Sequence, residues 1–176
     1  MAELGKNPAK YDWMAVRVGV VLGDYTAGDK WALSIGEKDA ISVQGAGKLN
    51  ARAGDRVAIT GTFRHLPPGE HQLIDATMEV IPLDVSVAEL VKNTGKYDGR
   101  LIRIETILAK FLPQDDWSHA VKEPGVGNIE IEGKGKPDAR DGDKVSIVGV
   151  FQYRPKTFGE RIILLTKMQK LEQKKP

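Results

Sequence analysis

The chain has 176 residues, 41% of them hydrophobic and 28% charged, which suits one ordinary domain or two small ones and excludes wholesale disorder. It contains no cysteine, so disulfides, thiol nucleophiles, zinc ribbons and iron–sulfur ligation are all excluded. The formal net charge of +2 is too small to imply a polyanionic partner by itself, and no apolar run is long enough for a bilayer span or a signal peptide, so the sequence reads as soluble.

In chain order, Ala2 to about Lys10 reads as a short helix broken by Pro8. Tyr11-Asp12 leads into Trp13 to Leu22, whose β-branched residues mark a strand, and Gly19 inside it predicts a bulge or a strong coil. Lys30 to Ile35 and Ala40 to Gln44 are short strands around Gly36 to Asp39. A polar loop covers Gly45 to Gly54. Asp55 to His65 then alternates Val57, Ile59, Gly61 and Phe63 against polar or small neighbours, the period-2 signature of a half-buried strand. Leu66 to Gly69 turns the chain, His71 to Ile81 is a fifth strand, and Pro82-Leu83-Asp84 ends the unit.

The scheme then recurs. Ala88 to Leu108, AELVKNTGKYDGRLIRIETIL, matches Ala2 to Leu22, AELGKNPAKYDWMAVRVGVVL, at 10 of 21 positions and an offset of 86. Ala139 to Phe151 matches Ala51 to Phe63 at 8 of 13 positions and an offset of 88. Two echoes in the same order predict a duplicated unit of somewhat under ninety residues, with domains at 1–82 and 83–176. Their charge balances differ: nine basic against ten acidic residues in the first, 17 against 14 in the second, hence −1 and +3.

In the second copy Ser86-Val-Ala-Glu89 reads as a capping box, with Val85 and Leu90 as a hydrophobic staple. The helix is expected over Val87 to Asn93, with Gly95 as a left-handed cap. Strands are expected at Leu101 to Phe111, Asn128 to Glu132, Lys144 to Tyr153 and Arg161 to Leu171, with a poorly defined stretch around Trp117 to Val121. The first copy lacks the cap before Ala2, which reads as a trimmed start, a natural start without a cap being the alternative. A trimmed start would imply an export leader or an envelope anchor ahead of Met1.

Five strands per unit, with no room for a parallel-sheet crossover helix, predict an all-β protein with short helices: two tandem five-stranded OB-fold-like antiparallel barrels from an internal duplication. The spacing Ala88-Glu-Leu, Asn93, Lys96-Tyr-Asp-Gly99, then Leu101-Ile-Arg-Ile104, resembles the opening of bacterial OB-fold families of the tRNA-anticodon-binding-like type. The resemblance covers about a quarter of each unit and implies the fold more than a function. Many members of such families are exported or membrane-anchored. The first unit has Trp13 where the resemblance would put glycine, so its turn is expected to differ.

Catalytic chemistry finds little support. His65, His71 and His119 have no metal-ligand spacing to one another. Asp115, Asp116 and His119 could hold a cation or exchange protons, but a solvated loop is the plainer reading. Glu130 and Glu132 share a strand face, as they would on a solvent-facing edge. Gly45-Ala-Gly47-Lys48 fails a phosphate-loop pattern at Ser42 and Leu49, and no Gly-x-Ser-x-Gly elbow occurs. No enzyme activity, metal or cofactor is expected, although the divergent stretch Pro113 to Gly127 would be the place for one.

The remaining signal is aromatic residues interleaved with cations, which an OB barrel uses to stack bases and track phosphates. Phe151 is in the apolar phase and expected in the core. Tyr153, Arg154, Lys156, Phe158 and Arg161 form the candidate platform, with Arg103 and Trp117 as further ligand-binding candidates. In the first unit Trp31 and Tyr25 could contribute. Tyr11 and Tyr97 are read as plugs under the helices, and Arg17 and Arg103 as partners of carboxylates or as groove residues. The expected function is a non-enzymatic tandem OB-fold binding module for single-stranded nucleic acid. The alternative is an exported or envelope-associated module that binds a protein through barrel edges or the junction near Pro82 to Val87.

Overall fold

Alternating burial along the strands sets the architecture. In the strand Arg56–Leu66 the side chains of Val57, Ile59 and Phe63 are wholly buried, and in Lys144–Arg154 those of Val145, Ile147 and Phe151 are. The computed structural model describes residues 4, 6–23, 30–35, 40–46, 51–66, 69–112, 117–123, 126–134, 139–155 and 159–172, and among these the side chains of 30, 111, 112, 117, 118, 122, 123 and 126–128 are left aside.

Two compact units result, Met1–Ile81 and Pro82–Pro176. The first contains α1 (Pro8–Tyr11), β1 (Ala15–Val21), β2 (Lys30–Ile35), β3 (Ile41–Ala46), β4 (Arg56–Leu66) and β5 (Glu70–Val80). Its sheet order is β1-β4-β5-β3-β2, with β3 and β5 parallel and the other pairs antiparallel. The second contains β6 (Leu83–Asp84), α2 (Val87–Lys92), α3 (Thr94–Tyr97), β7 (Leu101–Leu112), β8 (Trp117–Glu123), β9 (Val126–Gly133), β10 (Lys144–Arg154) and β11 (Glu160–Lys170). Here β7 pairs with β10 through its first half and with β8 through its second, so the order β7-β10-β11-β9-β8 closes on itself, again with one parallel pair, β9–β11. The fold is therefore all-β with short helices, in tandem OB-like units, as the strand pattern predicts. Each unit has its own core, one around Phe63 and Leu73, the other around Leu90 and Phe151.

Two glycines let the strands cross closely. A Cβ on Gly149 would sit 2.5 Å from the Leu164 carbonyl oxygen, and one on Gly61 3.0 Å from that of Ile74. At both places the pairing slips by one residue, between Val148 and Gly149 and between Thr60 and Thr62. These bulges coil the hairpins, and Asp75, opposite the slip between Thr60 and Thr62, takes φ 51. Gly19 does not bulge: β1 pairs with β4 in continuous register from Ala15 to Val21, because the coil is supplied on the partner hairpin.

Other expectations are corrected. Gly95 lies within α3 and does not cap α2; Asn93 ends that helix, its N–H donating to the Glu89 carbonyl at 3.0 Å. The Ser86 cap is present, its Oγ accepting from the Glu89 N–H at 3.1 Å, but the Glu89 carboxylate turns to the Tyr97 hydroxyl and to Lys96 instead of closing the box. Those two partners hold the Glu89 carboxyl below its usual range, Tyr97 foremost. Leu83 and Asp84 form a parallel edge pairing with Ile102 and Arg103. Glu130 and Glu132 lie on β9 between β8 and β11, not on an edge.

His119 is 1% exposed on β8, a regular strand, and not in a solvated loop; Asp115 and Asp116 lie outside the described residues. Burial pushes its imidazole below the usual range, against the opposing pull of Asp141 at 3.4 Å. The unfolded chain, with an ordinary histidine at 6.5, then binds more protons than the folded one, so this contribution is whole above that pH and is lost as pH falls below it. Denaturant midpoints at pH 7.5 and 5.5 should show a larger acid loss in the wild type than in His119→Leu. Equal losses would contradict it.

Candidate nucleic-acid interface

The same short connection brings each helix into the first long strand of its unit, β1 of the open first sheet or β7 of the closed second one. Asp12 Oδ1 accepts from the His65 N–H at 2.9 Å, and Asp98 Oδ1 accepts from the Tyr153 N–H at 2.9 Å. Just before, the Trp13 N–H donates to the Phe63 carbonyl at 2.8 Å and the Phe63 N–H to that of Met14 at 2.9 Å. The Gly99 and Phe151 N–H groups make the corresponding bonds to Phe151 and Arg100 at 2.7 and 3.0 Å. The repeated Tyr-Asp dipeptide is thus explained: the carboxylate carries the ladder one rung beyond the start of β1 or β7. Tyr97 is buried and Tyr11 half-buried against their cores, as plugs.

The turn in the first unit does not differ as expected. Trp13 has φ 60 and Gly99 φ 69, so tryptophan adopts the left-handed conformation that glycine takes freely. For an L-residue this costs about 1–2 kcal/mol. The indole is nevertheless 63% exposed, beside Met14 at 50%. The Arg64 guanidinium lies over it, Cζ 4.2 Å from the ring centroid, and Arg64 Nε is shut off from solvent with no hydrogen-bond partner among the described residues. Stacking, then, is what orients this guanidinium, at about 0.5–1 kcal/mol.

In the second unit, Tyr153 is half-buried and packs on the core in the same phase as Phe151. Arg161 stands directly opposite on β11, its Cζ 6.0 Å from the Tyr153 ring centroid and its Nε also buried without a partner among the described residues. Arg154 is exposed and donates to Gln152 Oε1 at 3.2 Å. The hairpin end therefore brings Tyr153, Arg154 and Arg161 together. Lys156, Phe158 and Tyr25 lie outside the described residues, and Trp117 is on β8 with its side chain left aside. Arg103 is elsewhere, on the outer face of β7, donating to Asp84 at 3.2 Å; Arg17 likewise donates to Glu79 at 2.8 Å. Such exposed pairs are worth about 0–1 kcal/mol. Trp31 is 2% exposed and belongs to the first core.

Sequence reasoning left Trp13 outside the candidate platform, reading it as core or inter-domain packing ahead of base stacking. Its signal was the mismatch with Gly99: a bulky side chain at a glycine position of a repeated turn. Arg64 was legible only once the fold put it beside that turn.

No protein-family profile matches the chain, and no curated protein matches it. Among solved structures it is similar to p202 HIN1 in complex with 12-mer dsDNA, at 13% identity and TM-score 0.39, covering 89% of this chain and 92% of that one. A murine DNA-binding protein bound to double-stranded DNA gives 9% identity and TM-score 0.41, covering 90% and 100%. A deletion mutant of the single-stranded DNA-binding protein from Thermus aquaticus gives 9% and 0.32, covering 92% and 96%. Likeness at this level brings no property of those proteins to this chain. Among the described residues no helix is long and apolar enough to cross a membrane.

The two tryptophans should separate packing from presentation. Trp13→Gly relieves the left-handed strain while losing the Arg64 contact and adding glycine's freedom, so stability should change by less than about 1 kcal/mol. Trp31→Ala should cost about 3–5 kcal/mol. Urea denaturation of both variants checks this, and a Trp13→Gly loss as large as that of Trp31→Ala would contradict it.

Proposed function

We propose that the chain is a non-enzymatic binding module for single-stranded nucleic acid, with contacts at the hairpin ends of its two OB-like units. The carrying observation is Trp13, a strained and exposed indole backed by a guanidinium. Strain kept at an exposed aromatic, with no gain in core packing, supports a binding role. An indole face beside a fixed cation suits a flat base linked to a phosphate. Duplex DNA keeps its base faces stacked internally, which favours a single strand as the ligand.

The second unit would contribute Tyr153, Arg154 and Arg161, with Lys156 and Phe158 on the connection between β10 and β11. Its higher positive charge fits a role in following phosphates. Arg103 and Trp117 are weaker candidates, Arg103 because Asp84 already engages it. The duplication of one ancestral unit explains why both hairpin ends share a backbone frame while their side chains differ.

A second reading is a protein-binding module of the cell envelope. Val21 and Ile107, at equivalent places on β1 and β7, are 67% and 59% exposed and favour an apolar contact. Scattered single apolar residues are common on any surface, so this ranks below the first.

Labelled oligo-dT, followed by anisotropy at low ionic strength, tests the proposal. Binding should weaken as salt rises, because phosphate contacts release counterions. Trp13→Ala should weaken it by about 1–3 kcal/mol, roughly 5- to 150-fold. Absence of salt-dependent binding would overturn the reading in favour of the protein partner.

A further inference from the structure

Beneath the Trp13–Arg64 stack, on the inward phase of the same hairpin, two histidines meet. His65 on β4 and His71 on β5 are directly opposite in the register, with Nδ1 to Nδ1 3.2 Å apart. The backbone explains the approach. His65 gives its N–H to Asp12, on the side away from β5, so His65 and His71 form a non-hydrogen-bonded pair. In such pairs the Cα atoms are closest, about 4.5 Å apart, and the side chains are pressed together.

We propose that His65 and His71 are a two-imidazole binding site for a divalent cation of the zinc, nickel or copper kind. Two nitrogens bound at about 2.0–2.1 Å to one tetrahedral ion are about 3.3 Å apart, close to the spacing already present. His71 is only 8% exposed, against the Phe63 ring with centroids 5.6 Å apart, so one ligand is already fixed by packing. His65 is half-buried and leaves the site open on its side. Among the described residues no third histidine or carboxylate completes a cluster, so water or a ligand atom takes the other positions. Imidazole nitrogens select borderline ions over magnesium or calcium, which require oxygen.

The second unit places Tyr153 and Arg161 at the corresponding opposed positions. There a guanidinium supplies fixed positive charge at the barrel mouth. A bound cation would supply it at the first mouth, where two imidazoles stand instead. Histidines six apart do not have the spacing of a helical or ribbon metal motif; only the hairpin makes them neighbours.

The site is independent of nucleic-acid binding and is tested with metal alone. The untagged full chain, stripped with chelator, is titrated calorimetrically with copper, nickel, zinc and magnesium chlorides. One equivalent of copper should bind most tightly, nickel and zinc more weakly, and magnesium not at all. His65→Gln and His71→Gln should each weaken zinc binding at least about tenfold. Imidazole nitrogen NMR of the wild type with zinc needs no variant: the Nδ1 signals of His65 and His71 should shift and those of His119 should not. No binding up to about 1 mM free zinc or copper would overturn the proposal. So would binding that survives both substitutions, or an Nδ1–H to Nδ1 hydrogen bond that metal does not displace.

Discussion

The hydrogen bond that a strand N–H, of His65 on β4 or Tyr153 on β10, donates to a turn carboxylate is the constraint on which both mouths depend. Asp12 and Asp98 each extend a sheet by one rung beyond the start of the pairing strand, β1 or β7. A buried or half-buried backbone donor without such a partner would cost about 1–3 kcal/mol. The carboxylate also fixes which side of β4 and β10 the N–H points to, and that decides the pairing type on the opposite side. From this follow the close approach of His65 to His71 and the opposition of Tyr153 to Arg161.

On that shared frame the two mouths carry different chemistry. Trp13 stands against Gly99, Arg64 against Gln152, His65 against Tyr153 and His71 against Arg161. The first mouth has an exposed indole on the outward phase and imidazoles on the inward one. The second has a half-buried phenol and two arginines. Left-handed strain is tolerated at Trp13 because the Phe63 bonds on either side hold the backbone regardless of the side chain. Removing the indole therefore tests function without dismantling the first sheet.

Much of the fold was legible because it rests on local periodicity. The limits of β2 coincide with the apolar run Lys30 to Ile35, and Ser86 signalled the α2 cap through its spacing to Glu89. What failed depended on partners distant in sequence. Gly19 looked like a bulge, but the coil is made by Gly61 against Asp75 on another hairpin. Gly95 looked like a cap because nothing local shows that Thr94 to Tyr97 would continue as a helical turn. His119 looked solvated because its neighbours are acidic, whereas pairing with β7 and β9 buries it. Of the proposed contacts, Tyr153, Arg154 and Arg161 were grouped from sequence because they flank one turn. Trp13 and Arg64 lie 51 positions apart and meet only through the β1–β4 pairing.

Trp13 as a base-stacking face is the central claim, and tryptophan fluorescence tests it most directly. In a chain carrying Trp31→Phe and Trp117→Phe, Trp13 is the sole indole. Titration with oligo-dT should quench its emission in step with binding, and added salt should restore it. Binding that leaves the emission unchanged would place the ligand elsewhere and contradict the account.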